Sequence, residues 1–426
     1  MSAHIVMGMG FGDEGKGVMT NFLVHHHNAP WVVRYNGGPQ CGHNVIHDGM
    51  HHNFSQFGSG TFQGAHTYLS KRMLMNPISL IHEAASLSDT MHMHITEILE
   101  RVMIDPRCPV ITPFHVFANR LREKKLRHGS CGKGVGELSS DIAKGEKIIT
   151  VGQLSSPSLV KMLEVIRKRK INELRKDGIS LKGPEGDALV NSNIAEELAS
   201  AYKKFLPFLN IPEDPDDAIQ AILSLNVVLE GAQGLLLDED HGFYPHTTWS
   251  KITPEWAVEF LDEAGYIEQR EWIGVTRPYQ TRHGNGPMMP GIDLRHFYDE
   301  HNITNDWQGD FRYGFTDGCM LAYAAECARH YGGLDCIAVT HTDILETQPM
   351  FNTISNYEDG SGKFSFKFDP NRGLNEMEKL GERLKHATPI TGVAIADEVF
   401  DYISEKTGVP IEYMSNGPRT GCQFMC

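Results

Sequence analysis

The sequence predicts an α/β fold with a mainly parallel central sheet, a phosphate-binding glycine loop after the first strand, helical insertions and a late β-hairpin. Three observations carry this. Short apolar runs alternate with longer amphipathic stretches along all 426 residues, the pattern of strands joined by crossover helices. The first apolar run leads straight into a glycine-rich loop and then an apolar helical run. No repeat or low-complexity linker interrupts the chain, so residues 1–426 read as one α/β domain with a helical insertion at about 80–225.

The expected strands are 5–8, 31–35, 226–230, 272–275, 336–340 and 411–414, each short and rich in apolar residues. Residues 159–175 place apolar side chains three and four apart with Lys and Arg between them, which predicts a surface helix. Late in the chain, β-rich runs 350–357 and 363–368 flank Asp359-Gly360-Ser361-Gly362, a hairpin turn signal.

Composition narrows the function. With 39 Lys and Arg against 54 Asp and Glu the net charge is −15, which repels a nucleic-acid backbone. The N-terminus lacks a basic, apolar leader and no stretch reaches 18 apolar residues, so a cytoplasmic protein without a membrane partner is expected. Eight cysteines form no CxxC pair and are expected to be reduced. Among 22 histidines, the run His25-His26-His27 projects in different directions from a helix, so no zinc site is expected.

The loop reads Gly8-Met9-Gly10-Phe11-Gly12-Asp13-Glu14-Gly15-Lys16-Gly17. Glycines let backbone N–H groups approach phosphate, and the helix N-terminus adds favourable potential. The letters fit two motifs: GxGxxG over Gly10 to Gly15, and GxxxxGK over Gly10 to Lys16 without its closing Ser or Thr. A dinucleotide site wants an acid at the end of the second strand, where this chain has Arg34; an NADP-dependent oxidoreductase using Arg34 therefore stays as an alternative. In the phosphate-loop reading Lys16 neutralises phosphate and Asp13 takes the magnesium contact that Gly17 cannot make. That reading explains more residues.

The loop continues into Arg34-Tyr35-Asn36-Gly37-Gly38-Pro39-Gln40-Cys41-Gly42-His43, and this combination resembles the adenylosuccinate synthetase family. Further blocks agree in order: Glu230-Gly231-Ala232-Gln233-Gly234 with Leu237-Asp238 and Asp240-His241-Gly242, then Tyr244-Pro245 with Thr248, Thr281-Arg282-His283-Gly284-Asn285-Gly286-Pro287, Thr340 to Asp343, and Gly408-Val409-Pro410-Ile411 with Gly417-Pro418. The resemblance implies a GTP- and Mg2+-dependent ligase that phosphorylates the 6-oxygen of IMP and displaces it with L-aspartate. Partners are then small molecules, with a homodimer as the assembly. By the same resemblance Asp13 is the base at N1 and a magnesium ligand, His43 the acid at the 6-oxygen, Lys16 the phosphate cation and the Gly42 carbonyl a second magnesium contact. Gly12, Gly15, Gly17, His341, Asp343, Ser415 and Gly417 fall to the phosphate donor. Ser130, Cys131, Gln233 and Thr248 fall to the acceptor nucleotide. Gln233, an amide after Gly-Ala at the end of a buried strand, is also placed to read a base edge by its own chemistry.

Two departures bear on substrates. His341 stands where the family has the lysine of its guanine-reading Thr-Lys-x-Asp, and ATP or dATP is therefore not excluded as donor. Residues 307–315 replace an arginine-rich loop that clasps the aspartate carboxylates, leaving Arg312, with Arg282 as a second candidate, while Asp310 adds a like charge to the ligand. The same chemistry on (d)GMP or with another amine, and a catalytically silent paralogue, remain as further alternatives.

Overall fold

The structure is a computed structural model describing residues 1–126, 130–289, 310–348 and 350–426. Its central sheet has nine strands: β1 (Ser2–Gly8), β2 (Trp31–Arg34), β3 (His66–Leu69), β4 (Val102–Ile104), β5 (Val227–Gly234), β6 (Gln269–Thr276), β7 (Cys336–Val339), β8 (Ile411–Ser415) and β9 (Gln423–Met425). Their order is β9-β8-β7-β6-β1-β5-β2-β3-β4. All neighbours run parallel except β9, which turns back along β8. All six expected strands are present, and β3 and β4 at one edge and β9 at the other extend the sheet beyond them.

The pleat of β1 explains why it sits in the middle. Ala3, Ile5 and Met7 face one apolar cluster with Val33, Leu229 and Val339. Val6 faces the other, with Val32, Val228, Ile273 and the helix residues Met19 and Leu23. A strand covered on both faces reads as a continuous apolar run, as β1 does. Those two helix residues belong to α1 (Lys16–His26), the helix that follows the glycine loop.

Between β4 and β5 the chain is mostly helical, and its Phe114, Leu163 and Tyr202 share one apolar cluster with earlier residues such as Phe54, Leu69 and Leu80. The expected helix at 159–175 is observed as Leu159–Lys176. The late hairpin forms at the expected turn, Asp359 pairing with Gly362, but it belongs to a separate small sheet in which Met350–Asp359 pairs mainly with Thr388–Ile395. Among the described residues, no helix is long and apolar enough to cross a membrane.

Ile5 has no exposed surface, and its neighbours on both sides are strands fixed in register. Ile5→Ala is expected to lower unfolding stability by about 2–5 kcal/mol. Chemical denaturation should show a lower midpoint with an unchanged slope.

Candidate active site

Because all strands but one run parallel, their carboxyl ends gather on one edge of the sheet, where open α/β folds bind ligands. The glycine loop leaves β1 there, Gln233 lies at the end of β5, Arg277 follows β6, His341 and Asp343 follow β7, and Ser415 ends β8.

The loop is organised by a residue that sequence reasoning passed over. The Glu14 carboxylate accepts the N–H groups of Gly10 at 3.0 Å and Gly12 at 2.8 Å, and ion-pairs with Lys16 Nζ at 2.6 Å. A side chain on Gly8 would meet that carboxylate at 2.5 Å and the Gln233 carbonyl at 2.6 Å, and one on Gly234 the Gly10 carbonyl at 2.2 Å and the carboxylate at 2.4 Å, which accounts for both glycines. An acid inside an anion-binding loop is itself anomalous, and that was the available signal. Gly12 (φ 93°), Asp13 (φ 63°) and Gly15 (φ 90°) adopt left-handed backbone, with Gly15 capping α1. Thr340 Oγ1 donates to the Glu14 carbonyl at 2.5 Å, joining the loop to β7.

Asp13 is held from two sides. Arg277 Nε donates to its carbonyl at 2.5 Å, and His283 Nε2 lies 3.4 Å from its carboxylate. His43 is anchored through Nδ1, 2.6 Å from Glu230. Burial would raise the Glu230 pKa, yet the neighbouring His43 and Arg34 charges, with hydrogen bonds from His43 and Ser59, outweigh it and hold the acid down at about 2. Burial pulls His43 below its ordinary value against the influence of Glu230. Gly17 is obligatory here: a Cβ on it would lie 2.7 Å from His43 Cβ. Gly42 is constrained likewise by Asn53, whose Oδ1 would be 2.7 Å from an added Cβ.

The position of Arg34 overturns the NADP alternative. The side chain has no exposed surface and lies beside Glu230, its register partner across β2 and β5, so no 2′-phosphate can reach it.

One cavity of about 1920 Å³ collects most of the expected residues. Its volume exceeds the roughly 300–1,000 Å³ of a single-ligand pocket and has room for more than one substrate. Asp13, Lys16, Gly42 and His43 line one part and Ser130, Cys131, Gln233 and Thr248 another, with Arg282 and Arg312 also on its wall. Gln233 sits at φ 56° and its buried Oε1 has no hydrogen-bond partner, an acceptor awaiting a donor. Ser130 Oγ accepts from Asn119 Nδ2 at 2.8 Å, and burial pushes the Cys131 thiol up to about 11, so it stays protonated. The Thr248 N–H bonds the Leu237 carbonyl at 2.8 Å.

The two arginines form a pair that the sequence did not reveal. Strand Gln280–His283 runs antiparallel to Phe311–Gly314, placing Arg282 opposite Arg312. Arg282 donates to the carbonyls of Pro287 and His246, Arg312 to that of Gly286, and a buried Nε on each has no partner. Burial and the Arg312 charge pull Arg282 down to about 9, still charged at neutral pH; burial lowers Arg312 too. Among the described residues neither is paired with a carboxylate. Asp310 is exposed, and burial alone accounts for the Arg312 shift. Gly129 and residues 307–309 of the two substrate loops lie outside the described residues.

His341, Asp343, Ser415 and Gly417 lie off this cavity, beyond Thr340. His341 (φ 57°) has Nδ1 2.9 Å from Thr340 Oγ1, and burial pushes its pKa well below the usual histidine value. Burial raises Asp343, whose buried Oδ1 has no partner. The Ser415 carbonyl accepts the Thr342 N–H at 3.0 Å and Ser415 Oγ donates to the Gly417 carbonyl at 2.9 Å, so the C-terminal segment braces the Asp343 turn.

Away from this edge, His4, His27 and Glu271 bring ligand atoms within 4.8 Å of one another. The His4 and His27 rings are stacked at 3.7 Å and 20°, so their in-plane lone pairs run nearly parallel instead of converging on an ion.

A phosphate loop at the head of a parallel sheet, opening on a large cavity with unpaired acceptors and arginines, defines a nucleotide-dependent α/β enzyme. A family model described as adenylosuccinate synthetase matches residues 5–422. The chain belongs to the adenylosuccinate synthetase family, whose members are ligases that form carbon–nitrogen bonds. It is 26% identical to adenylosuccinate synthetase of Buchnera aphidicola over 97% of this chain and 96% of that one. It is 29% identical to the Picrophilus torridus enzyme over 86% and 83%. The fold matches fully ligated adenylosuccinate synthetase from Plasmodium falciparum at TM-score 0.79 and 19% identity, covering 99% of both chains. It also matches cyanophage S-2L succinoaminodeoxyadenylate synthetase bound to dGMP and dATP, at TM-score 0.60 and 15% identity, over 100% of this chain and 95% of that one.

Gly17→Ala should displace His43 by the overlap described, and turnover is expected to fall at least about tenfold while the fold persists. Circular dichroism alongside steady-state kinetics checks this, and an unaffected turnover would refute the packing argument.

Proposed function

We propose that this chain joins L-aspartate to C6 of IMP using GTP. The observation that carries the reading is the convergence, in one cavity, of an acid in the glycine loop, an anchored histidine, an amide with an unpartnered oxygen and two arginines that, among the described residues, pair with no carboxylate. A purine 6-oxygen is a poor leaving group, so it must first become a phosphate ester. Asp13 removes the N1 proton and makes that oxygen nucleophilic. His43, acting as acid at the 6-oxygen through Nε2, stabilises charge as phosphoryl is transferred, and the amine then displaces phosphate at C6. Gln233 pairs with the base edge, while Ser130, Cys131 and Thr248 hold the 5′-phosphate.

On the donor side the amides of Gly15 and Gly17 and the Lys16 ammonium surround the phosphates, and Gly12, its own amide held by Glu14, lets the loop turn beside them. Asp343 accepts from the guanine edge beside His341, with Ser415 and Gly417 closing the base pocket. The Asp13 carboxylate and Gly42 carbonyl, hard oxygen donors, suit magnesium, which when bound neutralises phosphate charge. Arg282 and Arg312 each take one carboxylate of aspartate, which relieves two adjacent buried cations. A cytoplasmic homodimer is the state the family resemblance implies.

A second reading places dGMP as acceptor and dATP as donor. It is favoured by the likeness to the cyanophage enzyme, which binds both, and by the loss at His341 of the lysine stem that packs on guanine.

Mass spectrometry of products from IMP or dGMP, with GTP, ATP or dATP and a panel of amino acids, tests both. Adenylosuccinate from IMP, aspartate and GTP is the expected dominant product, and faster coupling of dGMP transfers the assignment to the second reading. Asp13→Asn should lower turnover about 10²- to 10⁴-fold, and a variant within a few-fold of wild type removes Asp13 as base.

Charge-assisted hydrogen bonds are worth about 1.5–3 kcal/mol, so Arg312→Ala should raise KM for aspartate about 10- to 100-fold with nucleotide KM values nearly unchanged. Unchanged aspartate kinetics, or faster coupling of a neutral amino acid, would sink the dicarboxylate assignment.

A further inference from the structure

Glu230 lies in the buried middle of β5 with no exposed surface, and its carboxylate is fully engaged. Oε1 accepts from His43 Nδ1 at 2.6 Å and from the Ser59 hydroxyl; Oε2 accepts the Ser59 N–H at 3.0 Å and lies 3.9 Å from Arg34 Nε. The position of Arg34 is set by the sheet itself, since the two residues are register partners, and its Nη1 is tied to the Phe57 carbonyl at 3.2 Å. Every neighbour of this carboxylate is therefore a donor or a cation, and only one of them, His43, also lines the cavity.

An ionised carboxylate only accepts hydrogen bonds, so the contact with His43 requires the proton to sit on Nδ1. We infer that Glu230 is a positioning residue for the reaction: it fixes the ring plane and tautomer of His43, so that Nε2 is the nitrogen presented to the reacting 6-oxygen and phosphoryl group. The two other constraints on the ring act in the same sense. Gly17 lets the His43 Cβ pack directly on α1, and Ser59, whose hydroxyl also approaches that slot, locks the carboxylate from behind. With Nδ1–H held in both ring states, any proton that the ring gives or takes during turnover passes through Nε2. The same division of labour, with a buried acid orienting a histidine and taking no proton itself, operates in hydrolase triads, where loss of the acid's charge costs about 10⁴ in turnover.

The inference rests on the role proposed for His43 at the 6-oxygen, and two readouts separate the two claims. In the full-length protein labelled with 15N-histidine, the His43 ring signals are identified by their loss in His43→Asn. Wild type is expected to show Nδ1 protonated, and a ring protonated on Nε2 alone would overturn the inference whatever the activity. Glu230→Gln should lose that signature and lower kcat about 10²- to 10⁴-fold, with KM for both nucleotides within about threefold of wild type. A kcat within threefold of wild type, or a loss shared equally by nucleotide binding, would make Glu230 merely structural. If Glu230→Gln fails to fold, the wild-type tautomer decides alone. Normal turnover by His43→Asn would instead refute the role of His43 and leave the tautomer measurement standing.

Discussion

The geometry of the catalytic edge depends on one short ion pair inside the glycine loop. Glu14 gathers two backbone N–H groups and the Lys16 ammonium around a single buried carboxylate. Without it, the first turns of the loop would carry unpaired donors in a protein interior, at a cost of about 1–3 kcal/mol each. Its carbonyl, bonded to Thr340, fixes the loop against β7, and the glycines at 8 and 234 let its carboxylate and the neighbouring backbone carbonyls pack closely. The backbone of Asp13 takes its left-handed turn between these fixed points.

A second level of order comes from charge. The chain carries a net −15, yet its cavity wall has Lys16, Arg282 and Arg312, so local cations oppose the global field where anionic substrates must bind. These cations differ in kind. Glu14 neutralises Lys16, whereas among the described residues the two arginines, opposite each other across a β-ribbon, donate only to backbone carbonyls, with the Arg282 guanidinium 4.1 Å over the Phe11 ring. Burial lowers their affinity for protons, but a guanidinium starts so high that both stay charged, and a desolvated cation of this sort binds a carboxylate strongly.

The sequence was informative where chemistry is local. Alternating apolar runs pointed to the parallel sheet, and the glycine run to a tight loop at the head of β1, because such features depend on neighbours within a few residues. The order of collinear motifs gave the family. Three functional elements were illegible for the opposite reason. Glu14 looked like one more loop residue although its side-chain partners Gly10, Gly12 and Lys16 are local, and its tie to Thr340 is visible only once β1 and β7 share one edge. Arg34 was read as a possible phosphate ligand, and only the register of β2 against β5 turns it inward to Glu230. The late hairpin was legible, whereas its membership of a separate sheet was not, since its main partner lies some forty residues downstream.

What the sequence alone determined was the kind of chemistry: a parallel α/β scaffold, an anion loop, an acid and a histidine in fixed order, and a ligase family. What only the tertiary structure decided was which groups share a charge. Arg282 meets Arg312 and Glu230 meets Arg34 through strand register, where a one-residue slip would turn each side chain to the opposite face, and Glu230 meets His43 across the fold from a separate two-stranded sheet. Register is fixed by packing on both faces of the sheet at once, and that packing sums contacts from the whole chain, so no local stretch of sequence contains it.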